Sequence, residues 1–242
     1  MVSCFPNFHV LQKNIQLFKK NHVTMHFSQV NGSKGTDFSE MRAYMLGKLM
    51  WDPYQNADSL MRSFMDGYYG AAAPYLYQYQ KIMQGGLLAS GTNLWIYDSP
   101  VTHKNGMLND RLCKTYDELF DQAEAAVASD PVRLDRVQLS RLSLIYSELE
   151  IARTKTNQDV AKVRQQLDYF RRQCRKFGIQ SLNERSNAPE DYCDLYEKRF
   201  LPQAEKSKAL GAKVIWLQKP GERYQKMADT ALTDGLFGGT TF

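Results

Sequence analysis

The sequence predicts a mainly α fold: the remnant of a (β/α) barrel end followed by a helical bundle, with few short strands. Three observations predict it. Residues 23–30 alternate apolar and polar side chains, lead into a Gly-rich loop at 31–35 and continue as an amphipathic helix, which is one β–loop–α unit of an α/β barrel. A barrel needs eight such units in about 250 residues, and only one is convincing here. Further along, long stretches place apolar residues at three- and four-residue steps, as helices of a bundle do.

The elements follow in order. Val10, Leu11, Ile15, Leu17 and Phe18 stand at helical spacing after the Pro6-Asn7 loop, and this helix ends near Asn21. Val23, Met25 and Phe27 then alternate with Thr24, His26 and Ser28, giving the strand. Asp37 or Thr36 is the expected N-cap of a helix over 38–51, with Glu40 as the capping-box partner of Asp37. Asp52-Pro53 stops it, because a residue before proline is biased out of the α region. Helices are predicted over 57–67 and 71–83, and Gly85-Gly86 and Gly91 then read as a break. Three long helices are predicted over 116–128, 131–154 and 158–177, the second opened by Asp130 as N-cap and Pro131 at the first helical position. A last helix is expected over 189–210 and a short strand over 214–217. The expected organisation is a barrel-derived segment at 1–53, a helical domain at 54–217, and a linker with the start of a β-sandwich at 218–242.

Composition narrows the function classes. The 242 residues are 43% hydrophobic and 24% charged, an ordinary globular balance with ample sequence for a core. The net charge of +5 comes from 31 basic and 26 acidic residues that are interleaved. The densest basic run, Arg171, Arg172, Arg175 and Lys176, falls near the C-terminal end of a predicted helix, where cations complement the dipole. A nucleic-acid partner is therefore not expected. No run of 18 apolar residues exists, so no membrane-spanning helix is expected. The N-terminus lacks the basic and apolar regions of a signal peptide. Cys4, Cys113, Cys174 and Cys193 are far apart, which reads as free buried thiols with a Cys174–Cys193 bridge as the alternative.

The runs Phe5-Pro6-Asn7, Phe27-Ser28-Gln29, Phe38-Ser39-Glu40-Met41-Arg42-Ala43-Tyr44, Lys48-Leu49-Met50-Trp51-Asp52-Pro53 and Gly67-Tyr68-Tyr69-Gly70 carry a resemblance. They resemble an uncharacterised glycoside-hydrolase-like family, a domain of unknown function from polysaccharide-degrading bacteria. Residues 120–127 and the Arg136 to Leu144 stretch resemble its helical part. The resemblance implies secreted or periplasmic relatives with an α-glucuronidase- or hexosaminidase-like barrel followed by helices. It also implies that the chain is the C-terminal part of such a protein, with a glycan as partner. The last residues, 232–242, resemble the entry strand of a discoidin-like module.

Catalysis by the isolated chain is not expected. Glycoside hydrolysis usually takes two carboxyl groups, yet the strand end Ser28-Gln29-Val30-Asn31 carries none, and relatives often hold Glu where Ser28 stands. Gln29, Asn31 and Arg42 are the candidate substrate contacts. No cofactor or metal is expected: His22 and His26 are four apart but lack the HExxH pattern, and no phosphate-binding or nucleophile motif is present. Trp51, Tyr68 and Tyr69 read as an aromatic cluster at helix ends, and Trp95, Tyr97 and Trp216 as core anchors. The function expected is a non-catalytic fragment of a carbohydrate-active protein. The alternatives are a helical interaction or scaffold module and a non-catalytic glycan-binding protein. Residues 23–30, as a strand without neighbours, are expected to promote self-association.

Overall fold

The computed structural model describes residues 3–28, 35, 37–155, 159–182, 188–201, 213 and 215, and it is mainly helical. The helices are α1 (Phe8–Lys20), α2 (Ser39–Trp51), α3 (Ala57–Tyr69), α4 (Ala73–Ser90), α5 (Asp110–Ala126), α6 (Pro131–Ala152), α7 (Val160–Phe177) and α8 (Pro189–Leu195). A short tight turn, Gly70–Ala72, joins α3 to α4, another at Pro100–His103 precedes α5, and a wider turn, Tyr196–Phe200, follows α8. Each helix packs on the next in sequence, and α6 also reaches α3.

Local chemistry sets the starts and stops. Asn56, Asn109, Asp130 and Asp159 are N-caps whose side chains accept from the backbone N–H of Ser59, Leu112, Arg133 and Lys162. Gly91 closes α4 and Gly178 closes α7 at φ of 63° and 66°, a left-handed geometry that glycine adopts without strain.

Two hydrophobic clusters share α6. Val137, Leu144 and Ile151 face the first, which runs from Phe8 through Met41, Met45, Met65, Leu76 and Tyr79 to Phe120. Leu142, Ile145, Tyr146 and Leu149 face the second, with Leu167, Phe170, Tyr192 and Tyr196. A helix that buries two faces must be apolar nearly all round. That is the reason for its mixed three- and four-residue spacing. Residues on both sides of position 53 lie in the first cluster.

Four expectations need correction. Residues 23–28 form no strand; among the described residues no strand occurs at all. Among the described residues their alternation has no neighbouring strand to complete a ladder, and Met25 and Phe27 stand 89% and 87% exposed. The segment instead leaves α1 by a backbone bond from Val23 N–H to the Phe18 carbonyl at 3.0 Å. Asp37 does not cap α2: Phe38, at φ 45°, takes that position with no side-chain cap, and the Asp37 carboxylate turns into the protein. Gly85 and Gly86 do not break the chain but lie inside α4. Finally, Trp95 and Tyr97 do not anchor the core; they stand exposed on a turn. Trp216, residues 218–242 and most of 214–217 lie outside the described residues.

The remaining aromatic and thiol expectations hold in part. Tyr69 is buried against Phe38, with ring centroids 6.0 Å apart, and Tyr68 stacks on Phe64 at 4.9 Å, whereas Trp51 is exposed. All four cysteines are buried and unbridged.

Gly86 explains itself by close approach. A Cβ there would come within 3.1 Å of Met107 Cα and 3.0 Å of Leu112 Cδ1, whereas a Cβ on Gly85 would meet nothing within 4 Å. Gly85→Ala should stabilise the protein by about 0.5–1 kcal/mol, the ordinary helix-propensity gain. Gly86→Ala should lose that gain to the clash and unfold at lower urea; equal midpoints for the two variants would contradict this packing.

Candidate functional site

Of the three candidate contacts, Gln29 and Asn31 lie outside the described residues and Arg42 lies within them. Arg42 rises from the first turns of α2 into a polar knot at the base of the N-terminal segment. Its guanidinium donates to the Phe5 carbonyl at 3.0 Å, to the Asp37 carbonyl at 3.2 Å and to the Asn7 side-chain oxygen. It also lies over the Phe8 ring, 4.5 Å from the centroid. Asp37 is 2% exposed. Its carboxylate accepts from Phe5 N–H at 2.9 Å and from the Ser143 hydroxyl at 2.8 Å. Burial pushes Asp37 above the usual carboxylate range, against the pull of Phe5 N–H, Arg42 and Ser143. Burial also pulls Arg42 down, opposed by Asp37. Both shifts express the cost of taking a charged pair out of water.

The knot extends to Cys4, which accepts from the Ser147 hydroxyl at 3.5 Å and lies 3.7 Å from the Tyr79 hydroxyl. Burial, then the Asp37 charge, pushes the Cys4 thiol up to about 12, so it stays protonated and is not a nucleophile. Every member of this knot serves packing, and Arg42 points inward.

A concavity lies elsewhere, between α5, α6 and α7. It is a cleft of about 440 Å³, within the range of small-molecule sites. Glu148, Gln166 and Asp117 line it beside the aliphatic Leu108, Ile151 and Val163. The Gln166 amide donates to Glu148 at 2.5 Å. Arg141 of α6 is shared by three acids of α5: Asp117 and Asp121 at 2.7 Å each and Glu124 at 3.1 Å. Asp117, Asp121 and Glu124 recur at four- and three-residue steps, which brings them to one helix face. Burial, and then the neighbouring Asp117 charge and the hydrogen bond to it, push Glu148 up to about 8. Burial and a like-charged neighbour both disfavour the ionised form of Glu148. Sequence reasoning missed this pair; its visible signal was an acid, Glu148, inside the apolar run of α6.

A third feature is an apolar surface at one end of α1 and α2. Gln12 and Gln16 donate to the Pro53 carbonyl at 3.1 Å and 2.9 Å, and Lys19 lies 4.8 Å over the Tyr54 ring. The Phe18 and His26 rings are 5.0 Å apart. Leu17, Met25, Phe27, Met50, Trp51 and Tyr54 stand exposed in the segments that these contacts join.

These features define an α-helical module with a buried polar knot, an internal cleft and an exposed apolar end. Residues 1–81 match a family described as a domain of unknown function, DUF4838. The matched segment contains Asp37 and Arg42 of the knot and the apolar end, and stops short of α5, α6 and α7, which include the knot's Ser143 and Ser147. No curated protein and no solved structure matches the chain.

The Glu148 shift makes a pH prediction. Its folded pKa lies above the unfolded value, so its contribution is most favourable below about pH 4.5 and declines as pH rises to about 8. Glu148→Gln, which mimics the protonated carboxyl, should be near-neutral at pH 5. At pH 8 it should stabilise by on the order of 1 kcal/mol, a gain of about 2–4 °C in Tm. A Tm difference independent of pH would contradict the assignment.

Proposed function

We propose that the chain is a non-catalytic helical module of a glycoside-hydrolase-like, carbohydrate-active protein, and that it packs against the carbohydrate-active part through the apolar end of α1 and α2. The observation that carries this reading is where the exposed apolar side chains lie. Leu17, Met25, Phe27, Met50, Trp51 and Tyr54 fall within residues 1–81, the segment that matches the family, whereas Leu88, Trp95, Ile96, Tyr97 and Val132 are exposed outside it. An exposed apolar patch of several large side chains marks an interaction surface. The same segment carries the motifs that resemble the glycoside-hydrolase-like family.

A second reading, direct glycan contact, is favoured by Trp95 and Tyr97, two exposed rings on one turn. That turn is held by the bond from Trp95 N–H to Asp98 at 2.9 Å.

One binding experiment separates the readings. The purified chain is titrated onto the barrel domain of a relative that carries the matched segment, and onto soluble polysaccharide. The packing role predicts binding to the barrel that Phe27→Ser/Trp51→Ser weakens at least about tenfold, or about 1.4 kcal/mol, with helicity unchanged. Binding to polysaccharide alone, lost in Trp95→Ala, would favour the second reading. Turnover of aryl glycosides by the isolated chain would overturn the non-catalytic assignment.

A further inference from the structure

The second hydrophobic cluster holds two thiols that the packing role leaves unused. Cys174 of α7 and Cys193 of α8 are both buried in it, and both stand free. Contacts between the two helices set their register. The Phe170 and Tyr192 rings meet edge-on, with centroids 6.2 Å apart. Arg171 reaches Asp194 at 3.0 Å, Glu197 at 3.2 Å and Glu190 at 3.6 Å. Arg175, one turn on, grips Glu190 with two donors at 2.5 Å and 2.9 Å. Partners on α8 thus step backward as α7 advances, and the two helices run antiparallel. Cys174 comes one turn after Phe170 and Arg171, and Cys193 one turn after Glu190, between Tyr192 and Asp194. The aromatic and charged contacts therefore frame the two thiols from the same pair of helices.

We propose that Cys174 and Cys193 are a latent disulfide, closed by exchange with a small-molecule disulfide of the oxidised-glutathione type, which staples α8 to α7. The other thiols belong to the first cluster: Cys113 donates to the Leu108 carbonyl at 3.3 Å, and Cys4 accepts from the Ser147 hydroxyl at 3.5 Å. Access comes through α8. Its seven residues are too few to hold a helix unaided. Its ion pairs are partly exposed, with Glu190 and Asp194 about half open to water, and such pairs stabilise little. α8 is therefore the element that lifts away at least cost and uncovers both sulfurs.

The exchange balances in two displacements. The Cys193 thiolate attacks one sulfur of the oxidised glutathione and expels one glutathione thiolate. The Cys174 thiolate then attacks Cys193 Sγ and expels the second. Two protein thiols lose two electrons and two protons, and two glutathione thiols gain them. Cys193 is assigned the first attack because the neighbouring Arg171 guanidinium favours its thiolate. The pair shares no residue with the packing surface of α1 and α2, so failure of one reading leaves the other standing.

The purified full chain, incubated with oxidised glutathione at pH 8 without denaturant, tests the proposal. Its intact mass should fall by about 2 Da, the loss of two hydrogens, and a non-reducing digest should yield residues 174 and 193 in one linked peptide. The bridge should raise Tm by about 5–10 °C and slow amide exchange in α8 at least about tenfold, both reversed by dithiothreitol. A Cys4→Ser/Cys113→Ser variant should respond as the parent does. Cys193→Ala should form no bridge and show no dithiothreitol-sensitive Tm. The proposal is overturned by an unchanged mass, by a glutathione adduct on Cys193 that Cys174 does not displace, by linked peptides that contain Cys4 or Cys113 instead, or by a bridge that lowers Tm.

Discussion

The buried carboxylate of Asp37 is the constraint around which the first half of the molecule is arranged. It cannot be left unpaired away from water, since an isolated buried charge costs several kcal/mol. Its hydrogen-bond donors come from two separate places, Phe5 N–H before α1 and the Ser143 hydroxyl in α6, 106 positions along the chain, while the charge of Arg42 in α2, which donates to the Asp37 carbonyl, attracts it. Satisfying this one group therefore fixes how the N-terminal segment, α2 and the central helix meet. The conformation at Phe38, φ 45°, follows from it, because Asp37 turns inward instead of capping the helix.

From that joint the remaining architecture is built on α6. Its two apolar faces serve two clusters, so the earlier helices and α7–α8 are held through the same rod. The second cluster has its own polar centre: Glu150 accepts from Arg153 at 2.8 Å and from the Tyr192 hydroxyl at 3.0 Å. The cleft opens on α6 as well, where Glu148 turns away from both cores. Fold and candidate site thus share one helix.

Particular residues show what was legible. The helices were, because heptad-like spacing, Asp130-Pro131 and the terminal glycines act locally. What was misread depends on partners distant in sequence. Residues 23–28 alternate as a strand does, but a strand exists only with a neighbour to bond, and among the described residues none is there. Asp37 followed by Glu40 matches a capping box, yet Ser143 and Phe5 claim the carboxylate. Gly85-Gly86 reads as a break because the approach of Met107, which Gly86 permits, leaves no local trace. Arg42 was visible as a chemically able side chain, but its inward direction was not. The Asp117–Glu148 pair joins two helices, and no spacing within either one reveals it.

The central claim is that the Asp37 knot makes the N-terminal segment and the helical body one cooperative unit. Native-state hydrogen exchange tests it most directly, through the Phe5 amide that donates to Asp37 and the amides of α2 and α6. The account predicts that the Phe5 amide and the inner amides of α2 exchange only by the global opening that exposes α6, with the same free energy and the same denaturant dependence. Local exchange at Phe5 and α2, at a much lower free energy and with little denaturant dependence while α6 stays protected, would contradict it.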